Sequence, residues 1–167
     1  MSAAPDRSRR ALFFGRPQAE PPLRPPWALT ESDFVDRCTG CGACIDRCPE
    51  QVLARGAAGY PVFDPKLGEC TFCGDCEQAC VPRALDRNAV LSPWNHLAQA
   101  GHACLPRHGV VWSSCRDACP ERAIAFPLTT ALPTPVIDAA RCTGCGACVG
   151  VCPVDAITLH RADREPA

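Results

Sequence analysis

An α+β fold of two small duplicated modules behind an extended arm is predicted by three observations. The octet Arg-Cys-Thr-Gly-Cys-Gly-Ala-Cys stands at Arg37–Cys44 and again, letter for letter, at Arg141–Cys148. Fifteen cysteines are crowded into 17.8 kDa, and they are clustered rather than dispersed. Eighteen prolines against six phenylalanines and one tyrosine leave too little apolar surface for packing alone to hold the chain. Metal–thiolate bonds supply what is missing, because a site that forms only in the folded chain adds its binding energy to folding.

The rival use of so many cysteines is a secreted disulfide scaffold. An odd total counts against complete pairing, and Met1–Arg10 is polar with no apolar run of signal-peptide length behind it. Nor is any stretch long and apolar enough to span a bilayer. The sequence therefore predicts a soluble cytoplasmic protein with reduced thiols. A net charge of −1 and a pI near 6.4 exclude a basic nucleic-acid binder.

Residues 1–30 are predicted to be a disordered arm rich in arginine and proline. Arg7–Phe14 resembles the opening of a twin-arginine export signal, yet Gly15, Arg16 and the proline-rich Pro17–Trp27 follow where an apolar segment is required. Two readings stand for the arm: a solvated tail, and a peptide that docks a partner through Arg9 and Arg10.

The first module, residues 31–86, carries Cys38, Cys41, Cys44 and Cys48-Pro49, then Cys70, Cys73, Cys76 and Cys80 followed by Val81-Pro82. Residues 87–103 are read as a linker. The second module, residues 104–163, carries Cys104, Cys115 and Cys119-Pro120, then Cys142, Cys145, Cys148 and Cys152-Pro153. Three of these four groups follow C-x2-C-x2-C-x3-C, the ligand run of bacterial ferredoxins. Cysteines at intervals of three let one short loop wrap a cubane and place a thiolate on three of its irons. Gly40, Gly42, Gly144 and Gly146 allow the backbone to approach closely, and loop N–H groups then point at sulfur. The fourth cysteine faces away from its own loop and serves the other cluster of the pair. Zinc sites instead present two separated CxxC pairs around one tetrahedron.

Cys38 and Cys70 stand 32 positions apart and Trp112 and Cys142 stand 30 apart, whereas Cys70 and Trp112 are 42 apart. This spacing favours two bacterial-ferredoxin-like modules, with motifs one and two together and three and four together. A nested pairing, one with four and two with three, is the alternative. Strands are predicted at Gly59–Asp64, Ala123–Phe126, Thr134–Asp138 and Ala156–Leu159. Short helices are predicted to follow Pro49, Pro82, Pro120 and Pro153.

The third motif is incomplete. Counting back from Cys119, Cys115 takes the third ligand position, Trp112 stands where the second cysteine belongs, and Cys104 reaches in from a longer loop. An indole N–H only donates and replaces no thiolate. Three outcomes follow: a [3Fe–4S] centre, a [4Fe–4S] centre with His102, His108, Asp117 or solvent as fourth ligand, or an empty site plugged by Trp112. Three [4Fe–4S] centres are expected irrespective of that outcome. In the crossed scheme the third centre takes Cys104, Cys115 and Cys152, and the fourth takes Cys119, Cys142, Cys145 and Cys148.

Several segments together resemble the NapF family, ferredoxin-type accessory proteins of the periplasmic nitrate reductase system. They are Ser8-Arg9-Arg10, Arg24-Pro25-Pro26-Trp27, Gly59-Tyr60-Pro61, Cys70-Thr71-Phe72-Cys73, Cys104-Leu105, Gly109-Val110-Val111, Cys119–Ile124 and the fourth loop. The resemblance implies a cytoplasmic protein that contacts the precursor of the catalytic molybdoenzyme subunit before export and assists its maturation. Trp112 departs from that family, which has a cysteine there. A soluble electron carrier or relay subunit is the competing function. Catalysis is not expected, since the four histidines are scattered and no nucleophile or phosphate-loop constellation occurs.

Overall fold

The computed structural model describes residues 22–56, 58–128 and 133–161. Arg9 and Arg10, and with them the docking-peptide reading of the arm, lie outside the described residues. In chain order the elements are α1 (Glu31–Arg37), α2 (Ala43–Asp46), β1 (Leu53–Arg55), β2 (Pro61–Phe63), α3 (Asp75–Gln78) and β3 (His96–Ala100). A 3-10 turn (Leu105–His108) follows, then α4 (Ser114–Asp117), β4 (Ile124–Ala125), β5 (Val136–Ile137), α5 (Ala147–Gly150) and β6 (Ile157–Arg161). Among the described residues no helix is long and apolar enough to cross a membrane.

Among the described residues the strands form three two-stranded antiparallel ribbons. β1 pairs with β2, Leu53 opposite Phe63. β4 pairs with β5, Ile124 opposite Ile137. β3 pairs with β6, from His96 opposite Arg161 to Ala100 opposite Ile157. The strands expected around residues 61–63, 124–125, 136–137 and 157–159 are present, and β1 and β3 were not anticipated. Their sequences, Leu-Ala-Arg and His-Leu-Ala-Gln-Ala, lack the β-branched residues that mark strands. β3 lies within residues 87–103, the span read as linker, where it pairs with β6.

The helices sit one step earlier than expected. Each of α2 to α5 encloses the third cysteine of a motif and closes on the fourth, whose N–H donates to the carbonyl of Ile45, Glu77, Arg116 or Val149. None follows a proline, because three residues past each fourth cysteine the backbone turns left-handed, at Gln51, Arg83, Arg122 and Asp155 with φ between +48° and +54°. Such a residue ends helical propagation. The diversion has a purpose: it turns the next amides toward sulfur, so that Ala123 and Ala156 donate to Sγ of Cys119 and Cys152 at 3.3 and 3.2 Å. Leu85 does the same for Cys80 at 3.5 Å.

The described end of the predicted arm is part of the packed protein. Arg24, Pro25, Pro26 and Trp27 are all buried. Arg24 donates from Nε and Nη2 to Glu31 at 3.1 and 2.6 Å and from Nη1 to the Pro61 carbonyl at 3.1 Å, its guanidinium lying 4.6 Å from the Phe34 ring. Three hydrogen bonds and a ring face make this buried cation tolerable. Thr30 caps α1 by accepting from the Asp33 N–H, and the helix buries Phe34 completely. One hydrophobic cluster then runs through the molecule, from Phe34, Val52 and Phe63 through Leu85 to Ile124, Val149 and Leu159, with Cys44, Cys76, Cys115 and Cys148 built into it.

Candidate metal centres

Three pockets are each walled by four cysteines. Cys38, Cys41 and Cys44 share the first with Cys80. Cys70, Cys73 and Cys76 share the second with Cys48. Cys142, Cys145 and Cys148 share the third with Cys119. Each set is therefore three thiols from one loop and a fourth from a different motif. Motifs one and two exchange their last cysteines, and Cys119 crosses from motif three to motif four. The remaining walls are largely apolar, among them Phe34, Pro61 and Leu85 in the first cavity and Ala98, Ile124 and Leu159 in the third.

All fifteen cysteines are free thiols. Among the described residues no three Cys, His, Asp or Glu side chains converge on a single point as one metal ion requires. A tetrahedral zinc site draws its sulfurs to about 2.3 Å from one centre. Thiols spread around a cavity fit a cage of several irons instead. Their protonation agrees. Burial, with neighbouring thiolates adding to it, pushes Cys44 and Cys70 up to about 11 and Cys76 and Cys148 up to about 12. Each set thus contains at least one buried thiol that ionises at neutral pH only when cations share its space. Soft thiolate ligands select iron–sulfur clusters among other soft metals, and low-polarity walls with N–H donors on sulfur are what set their potential.

The loops reach this arrangement through left-handed positions. Gly144 has φ +71°, and a Cβ there would strike the His96 carbonyl. Its counterpart in the first loop is Gly40, φ +67°, but in the second loop it is Phe72, φ +56°.

The third motif is different. Cys104 and Cys115 are 7 % and 5 % exposed. Burial raises both thiols, Cys104 also feels the Cys152 charge, and Cys115 feels both Cys104 and Cys152. These three form the residual set. Trp112 is 38 % exposed, so its indole is not sealed inside as a plug. Two of the alternative ligands are engaged elsewhere: His108 Nε2 lies 2.9 Å from the His102 carbonyl oxygen, and Asp117 pairs with Arg116 at 3.2 Å.

Sequence reasoning missed Pro26 and Phe34 as cavity walls, and Trp94 between the second and fourth loops. Trp94 donates from Nε1 to the Thr143 carbonyl at 2.7 Å. Aromatic residues flanking a cysteine run, Phe72 among them, were the available signal.

Known proteins carry the same features. Residues 37–85 match the family described as "4Fe-4S dicluster domain", and residues 135–158 match "4Fe-4S binding domain". Neither span includes Cys104, Cys115 or Cys119. The fold and thiol sets thus define a ferredoxin-type 4Fe–4S protein. Ferredoxin-type protein NapF of Escherichia coli (strain K12) is 42% identical over 162 residues, covering 93% of this chain and 95% of the relative. That of Haemophilus influenzae is 44% identical over 139 residues, covering 83% and 78%. The chain belongs to the NapF family of ferredoxin-type proteins. A more distant relative is the methylamine utilization ferredoxin-type protein MauM of Methylobacillus flagellatus, 33% identical over 175 residues, covering 93% and 74%.

Proposed function

We propose that this chain is a cytoplasmic, non-catalytic iron–sulfur protein that assists maturation of the periplasmic nitrate reductase catalytic subunit before that precursor is exported. Two ferredoxin-like modules, built on motifs one and two and on motifs three and four, carry three [4Fe–4S] centres. The first is held by Cys38, Cys41, Cys44 and Cys80. The second is held by Cys48, Cys70, Cys73 and Cys76, and the third by Cys119, Cys142, Cys145 and Cys148. Bound there, the clusters supply one-electron chemistry. The residues of the chain hold them, exclude water with Phe34, Pro26 and Leu159, and tune them through N–H donors on sulfur.

The observation that carries this reading is the exchange of fourth cysteines between motifs, which gathers four thiols around each of three pockets. Membership of the NapF family supplies the nitrate reductase connection. Arg9 and Arg10 are the proposed partner contacts. The third motif, with Cys104, Cys115 and Cys152, holds either a [3Fe–4S] centre or none.

An electron carrier between a donor and a reductase is the second reading, and it uses the same thiol sets. Capture from cytoplasm separates the two. The maturation reading expects the unexported reductase precursor to be recovered, with weaker recovery on deletion of residues 1–27. Normal reductase activity and maturation in cells lacking this chain would contradict it.

A further inference from the structure

The second and fourth loops meet. The Cys70 N–H donates to the Cys145 carbonyl at 2.8 Å, joining the thiol set of one cavity to that of another by a single hydrogen bond. Beside it Trp94 spans both loops. Its ring lies 5.3 Å from Phe72, in an edge contact within the second loop, and its N–H binds the Thr143 carbonyl of the fourth. Phe63 and His96 flank it, with ring centroids 4.8 Å away on each side. Gly146 seals the contact, since a Cβ there would come within 3.0 Å of Pro65 and Phe63.

Phe72 adds an independent sign. Its backbone occupies the left-handed conformation that glycine takes at 40 and 144. A phenylalanine kept in a glycine conformation needs a compensating use of its ring, and the ring's partner is Trp94.

We infer that Trp94, Phe72 and the Cys70–Cys145 hydrogen bond form the electronic junction between the two halves of the molecule. Because fourth cysteines are exchanged within each half and the second and fourth loops touch, the sets are linked in the order first, second, fourth-loop, then the incomplete Cys104–Cys115–Cys152 set. The defective site is thus terminal, and the continuous path runs through three complete sets. The inference rests on the metal-centre reading above. With clusters held by these thiol sets, each step would pass one electron from a reduced centre to its oxidised neighbour, with no bond made and no proton moved. A one-electron protein reductant supplies it, and a protein partner accepts it. Trp94 acts as a positioning residue.

The test uses the full iron-loaded chain, anaerobically, with iron measured first. After a flash from a photochemical one-electron reductant, Trp94→Leu should slow equilibration among the centres by roughly tenfold or more, because small displacements between reacting groups cost large factors in rate. Iron content and potentials should stay unchanged, and Trp94→Phe should recover most of the rate. Native speed in Trp94→Leu would overturn the junction. Should that variant lose iron, the native chain decides: fully reduced, it should give EPR spectra broadened by mutual interaction at the fourth-loop set. A sharp, isolated spectrum there overturns the proposal. An iron-free native chain would overturn the metal-centre reading itself.

Discussion

The first loop and the third motif differ at one ligand, and the location of that ligand explains how the chain survives its loss. In the first loop Cys44 is buried, Cys38 is half-buried and Cys41, the middle ligand, is exposed. The second loop repeats this, with Cys73 exposed and Cys76 buried. The third motif keeps the buried members, Cys104 and Cys115, and replaces the outward one with Trp112. What disappeared is the thiol that contributes least to packing. The defect is therefore chemical: one ligand position without a thiol, next to a hydrophobic cluster that stays intact.

Removing an inward ligand should do what the Trp112 replacement does not. Cys44→Ala should remove a whole centre, about four irons, and should lower stability by roughly 3 kcal/mol or more through the lost core contact and metal. Metal analysis and thermal melting check both. Full iron content would separate Cys44 from the first cavity. The complementary change sharpens the comparison from the other side. Trp112→Cys should raise the iron count, by about one if a three-iron centre is present and about four if the site is empty. An unchanged count would remove Trp112 from the position that matches Cys41 and Cys73.

The fold was legible where chemistry dictated it. The repeated octet and the C-x2-C-x2-C-x3-C runs gave the loops, and the strands at residues 61–63, 124–125 and 136–137 followed from short apolar stretches between them. What stayed hidden has local causes. The helices were expected after the prolines because proline suits a first turn. The left-handed residues at 51, 83, 122 and 155 are ordinary side chains, and nothing in their identity announces a positive φ. Arg24–Trp27 was assigned to the arm because a charged residue beside two prolines reads as solvated. Its burial depends on Glu31, Phe34 and the Pro61 carbonyl, partners that only the folded chain assembles. At the site, the three cysteines that each complete loop brings to one pocket were readable from spacing. Which fourth cysteine serves which loop was narrowed by spacing, with the nested pairing still open, and the covering residues Pro26, Phe34 and Trp94 were not readable.

Two arginines extend the comparison to energetics. Arg24→Ala should cost about 2 kcal/mol in denaturant melts, because a buried guanidinium with bidentate and ring contacts is lost. Arg116→Ala, whose partner Asp117 is exposed, should change stability by less than about 0.5 kcal/mol. Equal effects would contradict the packed reading of residues 22–30.

A smaller, pH-dependent effect belongs to His96. Burial first, and Arg161 second, push its imidazole down from 6.5 to about 4. The unfolded chain takes up that proton as pH falls through 6.5, and the folded chain does not until near 4. His96 therefore contributes full stability above 6.5 and loses it progressively toward 4, by up to about 2 kcal/mol at pH 5. His96→Asn should flatten that part of the profile, and an unaltered slope would assign the acid sensitivity to other groups.

The central claim is that thiol sets exchanged between motifs grip iron–sulfide cages and thereby hold this proline-rich chain together. Anaerobic purification followed by iron, sulfide and EPR analysis tests it most directly. A brown protein with at least about twelve irons, giving reduced [4Fe–4S] signals, is the predicted result. A colourless, iron-poor chain that nonetheless melts cooperatively as a compact fold would contradict it.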